Sequence, residues 1–145
     1  MYKNILIPTD GTEFAEKAVQ YAVQLAKTLG ATITGVTVTQ PFTVVAVEGV
    51  MISQTPDDYD RWSKEMAAKR LAPIKAACEK AGVACKTVHV ESFQPYEGII
   101  QAAKDNGNDL IVMASHGRRG VSALILGSET QKVLTHSAVP VLVVR

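Results

Sequence analysis

The stretch Asp109-Leu110-Ile111-Val112-Met113-Ala114 is followed at once by Ser115-His116-Gly117. Its apolar run from Leu110 to Ala114 is typical of a strand buried on both faces of a parallel sheet. The glycine-bearing segment comes directly after this strand, where open parallel sheets bind their ligands. The stretch therefore predicts a parallel α/β sheet and the edge of that sheet at which a site should lie.

The rest of the chain alternates short strand-like runs with longer helical ones. Further strands are predicted at Asn4–Pro8, Thr32–Val38, Val83–Val90 and Pro140–Val144. Helices are predicted between Thr12 and Gly30, from Asp60 to Lys80, from Pro95 to about Asn106, and from Ser128 to His136. With right-handed crossovers, this alternation predicts a doubly wound five-stranded parallel sheet with helices on both faces. The length of 145 residues predicts a single domain, 1–145.

The stretch from Thr39 to Asp58 has no helical period and contains Pro41, Gly49 and Pro56. It predicts a long loop, and such loops in compact domains often serve as lids or contact surfaces. Its apolar start, Val44-Val45-Ala46-Val47, fits either a contact surface or a small extra strand.

The composition argues against several classes of function. The formal net charge is +1, without the basic excess of a nucleic-acid binder. No apolar run approaches the ~20 residues of a membrane span, and the short polar start before the first strand leads us to expect no secretory signal. Cys78 and Cys85 suit the reduced thiols of a cytoplasmic protein, and with only His89 nearby they make no metal-binding set. We therefore expect a cytoplasmic protein that binds neither nucleic acid nor membrane.

The segment Pro8-Thr9-Asp10-Gly11-Thr12 follows the first strand and brings a carboxylate to the same edge of the sheet. Asp10 is suited to accept hydrogen bonds from sugar hydroxyls or to hold a metal ion on a phosphate. It is also suited to turning the chain into the first helix, a common role of aspartate. The residues themselves leave both roles open.

The segment Ala114-Ser115-His116-Gly117-Arg118-Arg119-Gly120 combines glycines with basic side chains. Glycine lets the backbone approach a phosphate with its N–H groups turned inward, although an ordinary glycine turn has the same composition. Arg118 and Arg119 fit either phosphate pairing or a solvated surface. His116 fits a ligand contact, but no nucleophile stands beside it to make it a general base.

A third polar segment, Gly127-Ser128-Glu129-Thr130-Gln131, opens the last helix. Ser128 and Gln131 have the spacing of a capping box, which would commit part of the serine hydroxyl to its own helix. The backbone N–H groups at the helix start would remain available to an anion in either case. The signatures G-x-x-x-x-G-K-[ST], G-x-G-x-x-G and G-x-S-x-G are absent, which argues against P-loop, dinucleotide-binding and hydrolase sites.

The chain resembles the universal stress protein family from its second residue to its last. Nucleotide-binding members carry a glycine, two residues, a glycine, nine residues, and then a glycine followed by serine or threonine. Here the matching stretch is Ala114-Ser115-His116-Gly117, then Arg118 to Leu126, then Gly127-Ser128. The opening Pro8-Thr9-Asp10 and the closing Pro140-Val141-Leu142-Val143-Val144 match as well.

The resemblance implies an ATP-binding stress-response protein with sheet order 3-2-1-4-5, an adenine-nucleotide alpha-hydrolase-like fold. Asp10 would lie near the ribose or adenine, and Val38 would offer backbone contacts to adenine. Gly117, Gly127 and Ser128 would hold the phosphates, with or without Mg²⁺. The full ATP-binding set that it implies is Pro8, Thr9, Asp10, Val38, Met113, Ala114, His116, Gly117, Arg118, Arg119, Gly127, Ser128, Glu129 and Thr130.

Ala114 stands where the family pattern has its first glycine. If that position requires a positive φ, a methyl group there costs about 1 kcal/mol or more. If the position only needs a small residue, alanine is harmless. Family members without the full glycine pattern often bind no ATP, so a ligand-free dimeric interaction module is an alternative function.

The last strand, Pro140–Val144, is predicted at a sheet edge, and an apolar edge invites pairing with another chain. In the family this strand pairs across a two-fold axis, which implies a homodimer here. ATP occupancy would then alter the binding of an unidentified regulatory protein partner. A genuine ATPase or phosphotransferase is another alternative. Since Asp10 and His116 are the only carboxylate and base placed near the site, we expect at most slow ATP hydrolysis.

Overall fold

The computed structural model describes residues 1–42, 46–47, 50–51, 55–117 and 125–145. The strands are β1 Asn4–Pro8, β2 Thr32–Thr39, β3 Ala46–Val47, β4 Val50–Met51, β5 Cys85–Glu91, β6 Leu110–Ala114 and β7 Val141–Val144. The helices are α1 Glu13–Leu29, α2 Pro56–Ala81, α3 Pro95–Asp105 and α4 Ser128–His136. Five strands form one parallel sheet in the order β5-β2-β1-β6-β7. Counted along the chain within that sheet, the order is 3-2-1-4-5, and the predicted fold class is confirmed.

The central strand β1 supplies side chains to both faces of the sheet. Ile5 and Ile7 pack with buried residues of α1 and α2, whereas Leu6 packs on the opposite face with residues of α3 and α4. Successive strand residues point to opposite faces, so a continuous apolar run is needed when helices cover both. All three residues are completely buried, which explains why β1 shows no polar alternation.

Local signals at the ends of α1 act as the sequence predicts. The hydroxyl of Thr12 accepts a hydrogen bond from the amide of Ala15 at 3.4 Å, and Glu13 and Glu16 occupy the first turn. The helix ends at Gly30, which adopts a left-handed conformation with a φ of 64°. Glycine reaches this conformation without the strain of a Cβ atom, so the stop signal is read from the sequence alone.

The region predicted as one long loop from Thr39 to Asp58 is more structured than expected. Thr39 still belongs to β2, and β3 pairs antiparallel with β4 within the region, whereas Val44 and Val45 lie outside the described residues. Helix α2 begins at Pro56 rather than Asp60, because Thr55 accepts a hydrogen bond from the amide of Asp58 at 3.1 Å. Pro56 suits the first turn of a helix, where no amide donor is needed.

Strands β5 and β7 are the two edges of the main sheet, and the predicted edge position of β7 is confirmed. Each residue of β7 is partly buried rather than fully covered.

Cys78 and Cys85 are free thiols. Burial is the larger cause, and a hydrogen bond with Cys85 the smaller, that raises the pKa of Cys78 to about 12. Within the part of the chain that the structure describes, no helix is both long and apolar enough to cross a membrane.

Candidate functional site

A cleft of about 710 Å³ opens at the carboxyl ends of β1, β2 and β6. From β1 the strand order runs through β2 to β5 on one side and through β6 to β7 on the other, so it reverses at β1. This is the switch point at which doubly wound sheets bind ligands. The cleft is lined by every described residue of the set that the resemblance implies: Pro8, Thr9, Asp10, Val38, Met113, Ala114, His116, Gly117, Gly127, Ser128, Glu129 and Thr130. Arg118 and Arg119 lie outside the described residues.

Asp10 fills the structural role that the sequence left open and also lines the cleft. Its Oδ1 accepts hydrogen bonds from the amide of Thr12 at 3.0 Å and from the hydroxyl of Thr12 at 2.6 Å. That hydroxyl in turn caps α1. The carboxylate therefore holds the turn between β1 and α1 in shape, and it also lines the cleft.

Gly117 brings the backbone after β6 close to this carboxylate. A methyl group at Gly117 would lie 2.9 Å from Oδ2 of Asp10, closer than real Cβ atoms approach an oxygen. The absence of a side chain thus lets the two segments meet across the cleft. A larger residue would force Asp10 and the turn it supports to move.

Gly127 allows a second close approach, at the other end of the glycine pattern. Its amide donates a hydrogen bond to the carbonyl of Ser115 at 2.8 Å, and a methyl group at Gly127 would lie 3.0 Å from the same oxygen. The hydroxyl of Thr130 donates to the carbonyl of Ala114 at 3.0 Å. These bonds join the end of β6 to the start of α4, so residues far apart in the pattern border one space.

The predicted capping box of Ser128 and Gln131 is wrong. Gly127 is the N-cap residue of α4, Ser128 is already the first helical residue, and no side chain caps the helix. The side-chain amide of Gln131 instead donates to the carbonyl of Leu126 at 2.7 Å. With its amide bonded to Ser115, Gly127 is the N-cap, one residue before the Ser128 that the spacing indicates.

The start of α4 offers backbone donors to the cleft. The first intrahelical hydrogen bond runs from the amide of Gln131 to the carbonyl of Gly127 at 3.0 Å. The amides of Ser128, Glu129 and Thr130 precede it and therefore have no helical acceptor. A helix N-terminus also carries partial positive charge, so this end of the cleft is suited to an anion.

Glu129 contributes its side chain to a different helix. Its Oε2 accepts a hydrogen bond from the amide of Tyr96 at 2.9 Å, in the first turn of α3, and its Oε1 lies 3.2 Å from Nζ of Lys132. Helix α3 has no side-chain cap of its own at Gln94. The carboxylate thus caps a neighbouring helix, and only the backbone of Glu129 is available to a ligand at the start of α4.

His116 is held by hydrogen bonds through both ring nitrogens. Nε2 bonds to the carbonyl of Ile125, which can only accept, so the proton is assigned to Nε2. Nδ1 then accepts from the hydroxyl of Ser115 at 2.9 Å. The ring of Phe14 packs against the imidazole, with centroids 5.9 Å apart. The imidazole therefore links the end of β6 to Ile125 and presents no free nitrogen to act as a base.

Ala114 occupies its position without strain. It is the last residue of β6 and pairs in register with Val144 of β7, so its backbone is extended. Any residue adopts that conformation, and glycine is required only where φ is positive. Ala114 is also almost completely buried at the floor of the cleft. The position needs a small residue rather than a flexible one.

The sequence did not indicate the side of the cleft formed by α2 and by the segment after β5. Tyr59, Trp62 and Arg70 reach the cleft from α2, and Phe93 reaches it from the segment that follows β5. Tyr59 and Trp62 are three residues apart, the spacing of neighbours on one helix face. That spacing is visible in the sequence, but it does not tell which edge of the sheet the face will meet.

The charges of the described cleft residues are balanced. Asp10 and Glu129 are its carboxylates, whereas Arg70 and Lys132 are its cations. No group of three or more histidine, cysteine, aspartate or glutamate side chains gathers as a metal site among the residues described. An anionic ligand would therefore depend mainly on backbone amides and on these cations.

Comparison with known proteins agrees with the sheet order. The sequence model of the Universal stress protein family matches residues 1–145. A universal stress protein of Methanocaldococcus jannaschii is 33% identical over 157 residues, which is 100% of this chain and 96% of the relative. Its solved structure matches with a TM-score of 0.82 at 31% identity, over 99% of this chain and 96% of that one.

A more distant solved structure shares the fold. The Archaeoglobus fulgidus universal stress protein in complex with dAMP matches with a TM-score of 0.71 at 18% identity, over 99% of this chain and 98% of that one. At this identity the likeness bears on the fold alone. Each of these two solved structures aligns with 99% of this chain.

Proposed function

Since this chain belongs to the universal stress protein family, we propose that it binds ATP in the cleft and acts as a regulatory stress-response dimer. The phosphates lie against the amides of Ser128, Glu129 and Thr130, and the ribose lies beside Asp10. The observation that carries the proposal is that these amides open onto the same cleft as Gly117 and Gly127. Both glycines let the backbone come closer than a side chain permits.

Two further observations support a nucleotide. The cleft volume of about 710 Å³ is within the range of small-molecule sites, roughly 300–1,000 Å³. The extended backbone of Ala114 means that this position does not need glycine, which supports ATP binding over a ligand-free function. The dAMP complex of the Archaeoglobus protein adds that the same fold accommodates an adenine nucleotide.

Mg²⁺ fits the proposal as a companion of the phosphates. The described carboxylates of the cleft, Asp10 and Glu129, are both engaged in hydrogen bonds within the protein. A divalent cation would therefore be held mainly by phosphate oxygens, as Mg²⁺ commonly is, with the carboxylate of Asp10 as a candidate protein ligand. Its contribution would be to neutralise phosphate charge.

The cleft supports binding better than turnover. Efficient phosphoryl transfer needs a group that orients the attacking water or hydroxyl, in addition to charge stabilisation. Both nitrogens of His116 are engaged, and Asp10 holds the β1–α1 turn. We therefore expect at most slow ATP hydrolysis, and we regard nucleotide occupancy as the signal that alters binding of a protein partner in the cytoplasm.

The dimer would form through β7. The carbonyl of Pro140 accepts a hydrogen bond from Ile111 of β6, and that of Val144 accepts one from Ser115, directly after β6. Val141 and Val143 therefore direct their backbone groups away from β6. These groups lie at an open sheet edge with apolar, partly buried side chains. A second copy of the strand would satisfy them.

Isothermal titration calorimetry with ATP, with and without Mg²⁺, tests the nucleotide proposal. We expect the wild-type protein to bind and Gly117→Val to bind at least about tenfold more weakly, because its side chain would collide with Asp10. Ser128→Ala serves as the matched control and should bind nearly as well, since the backbone amide remains. A folded wild-type protein that produces no heat with ATP would instead support the ligand-free interaction module.

A further inference from the structure

Aromatic side chains line the side of the cleft opposite the proposed phosphate end. The amides of α4 lie beside the end of β6, whereas Tyr59 and Trp62 line the cleft together with Thr39 and Gln40 at the end of β2. Strands β2 and β6 flank β1 on opposite sides. A ligand that places its anionic part at α4 and extends across β1 therefore brings its other end to the aromatic side chains.

These aromatic side chains are held in place before any ligand arrives. The hydroxyl of Tyr59 donates a hydrogen bond to the carbonyl of Gln40 at 2.5 Å. The ring of Tyr59 lies 5.5 Å from that of Phe42 and 5.6 Å from that of Trp62, measured between centroids. Ring pairs at these separations attract each other in tilted arrangements. Tyr59 and Trp62 together form an aromatic wall of the cleft, and Phe42, which does not line the cleft, packs against Tyr59.

The helix that carries the wall is fixed to the sheet by a buried polar contact. The hydroxyl of Ser63, next to Trp62 in the chain, lies 2.9 Å from the hydroxyl of Thr39. Thr39 also bonds to Nε2 of His89 at 2.7 Å, so the contact spans α2, β2 and β5. Ser63 is completely buried. The position of the wall is therefore set by the sheet and does not depend on the ligand.

Two large aromatic surfaces are left exposed at this end of the cleft. Trp62 is 44% exposed and Phe93 is 60% exposed, although both line the cleft. Trp62 also borders a shallow groove on the outer side of α2, together with Met66 and Lys69. Exposed aromatic surface inside a ligand cleft is typical of a site that receives a flat apolar group.

We infer that the indole of Trp62 stacks on the base of the bound nucleotide and that Tyr59, tilted 40° against it, holds the indole in place. This inference rests on the nucleotide proposal above. Stacking on an aromatic side chain is tolerant of sequence because every base has a π face. A two-ring purine overlaps more of the indole than a one-ring pyrimidine does, so Trp62 should contribute more to the binding of ATP than of CTP. Thr39 and Gln40 line the cleft on the same side and offer polar groups there.

Calorimetric titration of Trp62→Ala and Trp62→Phe with ATP, CTP and inorganic tripolyphosphate tests the inference. We expect Trp62→Ala to bind ATP roughly tenfold more weakly, to lose a smaller factor in affinity for CTP, and to bind tripolyphosphate as the wild type does. Trp62→Phe should retain most of the affinity for ATP. Tyr21→Ala is the matched control, because Tyr21 is a 52% exposed aromatic residue on α1 that does not line the cleft.

A second measurement needs no variant, because Trp62 is the only tryptophan of the chain. Its fluorescence should change on titration with ATP and should not change with tripolyphosphate. If ATP binds but leaves both the fluorescence and the Trp62→Ala affinity unaltered, the stacking inference is wrong and the nucleotide proposal stands. If the wild type binds no nucleotide at all, both are overturned.

Discussion

Thr130 joins the first turn of α4 to the end of β6. Its hydroxyl donates to the carbonyl of Ala114 at 3.0 Å and lies 3.5 Å from the carbonyl of Ser115. The residue is almost completely buried. Buried polar groups that lose their partner cost free energy, so this single hydroxyl helps to hold the proposed phosphate end in shape.

We predict that Thr130→Val lowers the free energy of unfolding by about 1 kcal/mol, because valine keeps the shape and loses the buried hydrogen bond. Urea unfolding measures the change. Thr135→Val is the matched control: its hydroxyl bonds to the carbonyl of Gln131 at 2.8 Å on the exposed side of the same helix. We expect that control to stay within about 0.5 kcal/mol of the wild type. Equal losses for the two variants would contradict the role given to Thr130.

The helices α3 and α4 are coupled through one carboxylate. Glu129, in the first turn of α4, accepts the hydrogen bond from the amide of Tyr96 that α3 would otherwise leave without an acceptor. A negative charge at this place also interacts favourably with the dipole of α3. The element that offers amides to a ligand is thus the one that stabilises the neighbouring helix.

We predict that Glu129→Ala lowers the free energy of unfolding by about 1 kcal/mol, as the loss of an N-terminal helix cap usually does. Glu129→Gln keeps an oxygen acceptor and should lose less. Hydrogen exchange of the Tyr96 amide, followed by NMR, gives the local readout: it should become faster in the alanine variant and change less in the glutamine variant. An unchanged exchange rate in Glu129→Ala would show that the contact does not cap α3.

The assembly of the whole molecule depends on how the open edge at β7 is covered. An apolar edge strand with unpaired backbone groups is prone to pair with another chain. The register of β7 on β6 makes Val143 one of the residues whose N–H is directed outward. A substitution there can remove a donor from the edge without removing a bond to β6.

We predict that Val143→Pro converts the proposed dimer to a monomer in sedimentation equilibrium, because proline has no N–H to offer across the edge. Val143→Thr keeps the amide and should remain dimeric. Circular dichroism establishes that both variants are folded. A wild type that sediments as a monomer, or a proline variant that remains a dimer, would argue against pairing through β7.

Features encoded within a few neighbouring residues were readable from the sequence. The apolar runs of β1 and β6 predicted a sheet covered on both faces, and Thr12 and Gly30 marked the two ends of α1. The family resemblance placed Gly117 and Gly127 at one site. Both line the cleft, and a Cβ atom at either would lie 3.0 Å or less from a neighbouring atom. These signals are local, since each depends on backbone sterics or on side-chain polarity along one element.

The tertiary structure alone decided which partner each polar or aromatic side chain takes. Ser128 matches the spacing of a capping box, yet the bond from Gly127 to Ser115 makes Gly127 the cap. Glu129 belongs to α4 in the sequence and caps α3 in the fold, and Trp62 reaches the cleft because α2 packs against β2 and β5. Such contacts join residues that are distant along the chain, and their free energy depends on how the elements pack, which no short stretch of sequence contains.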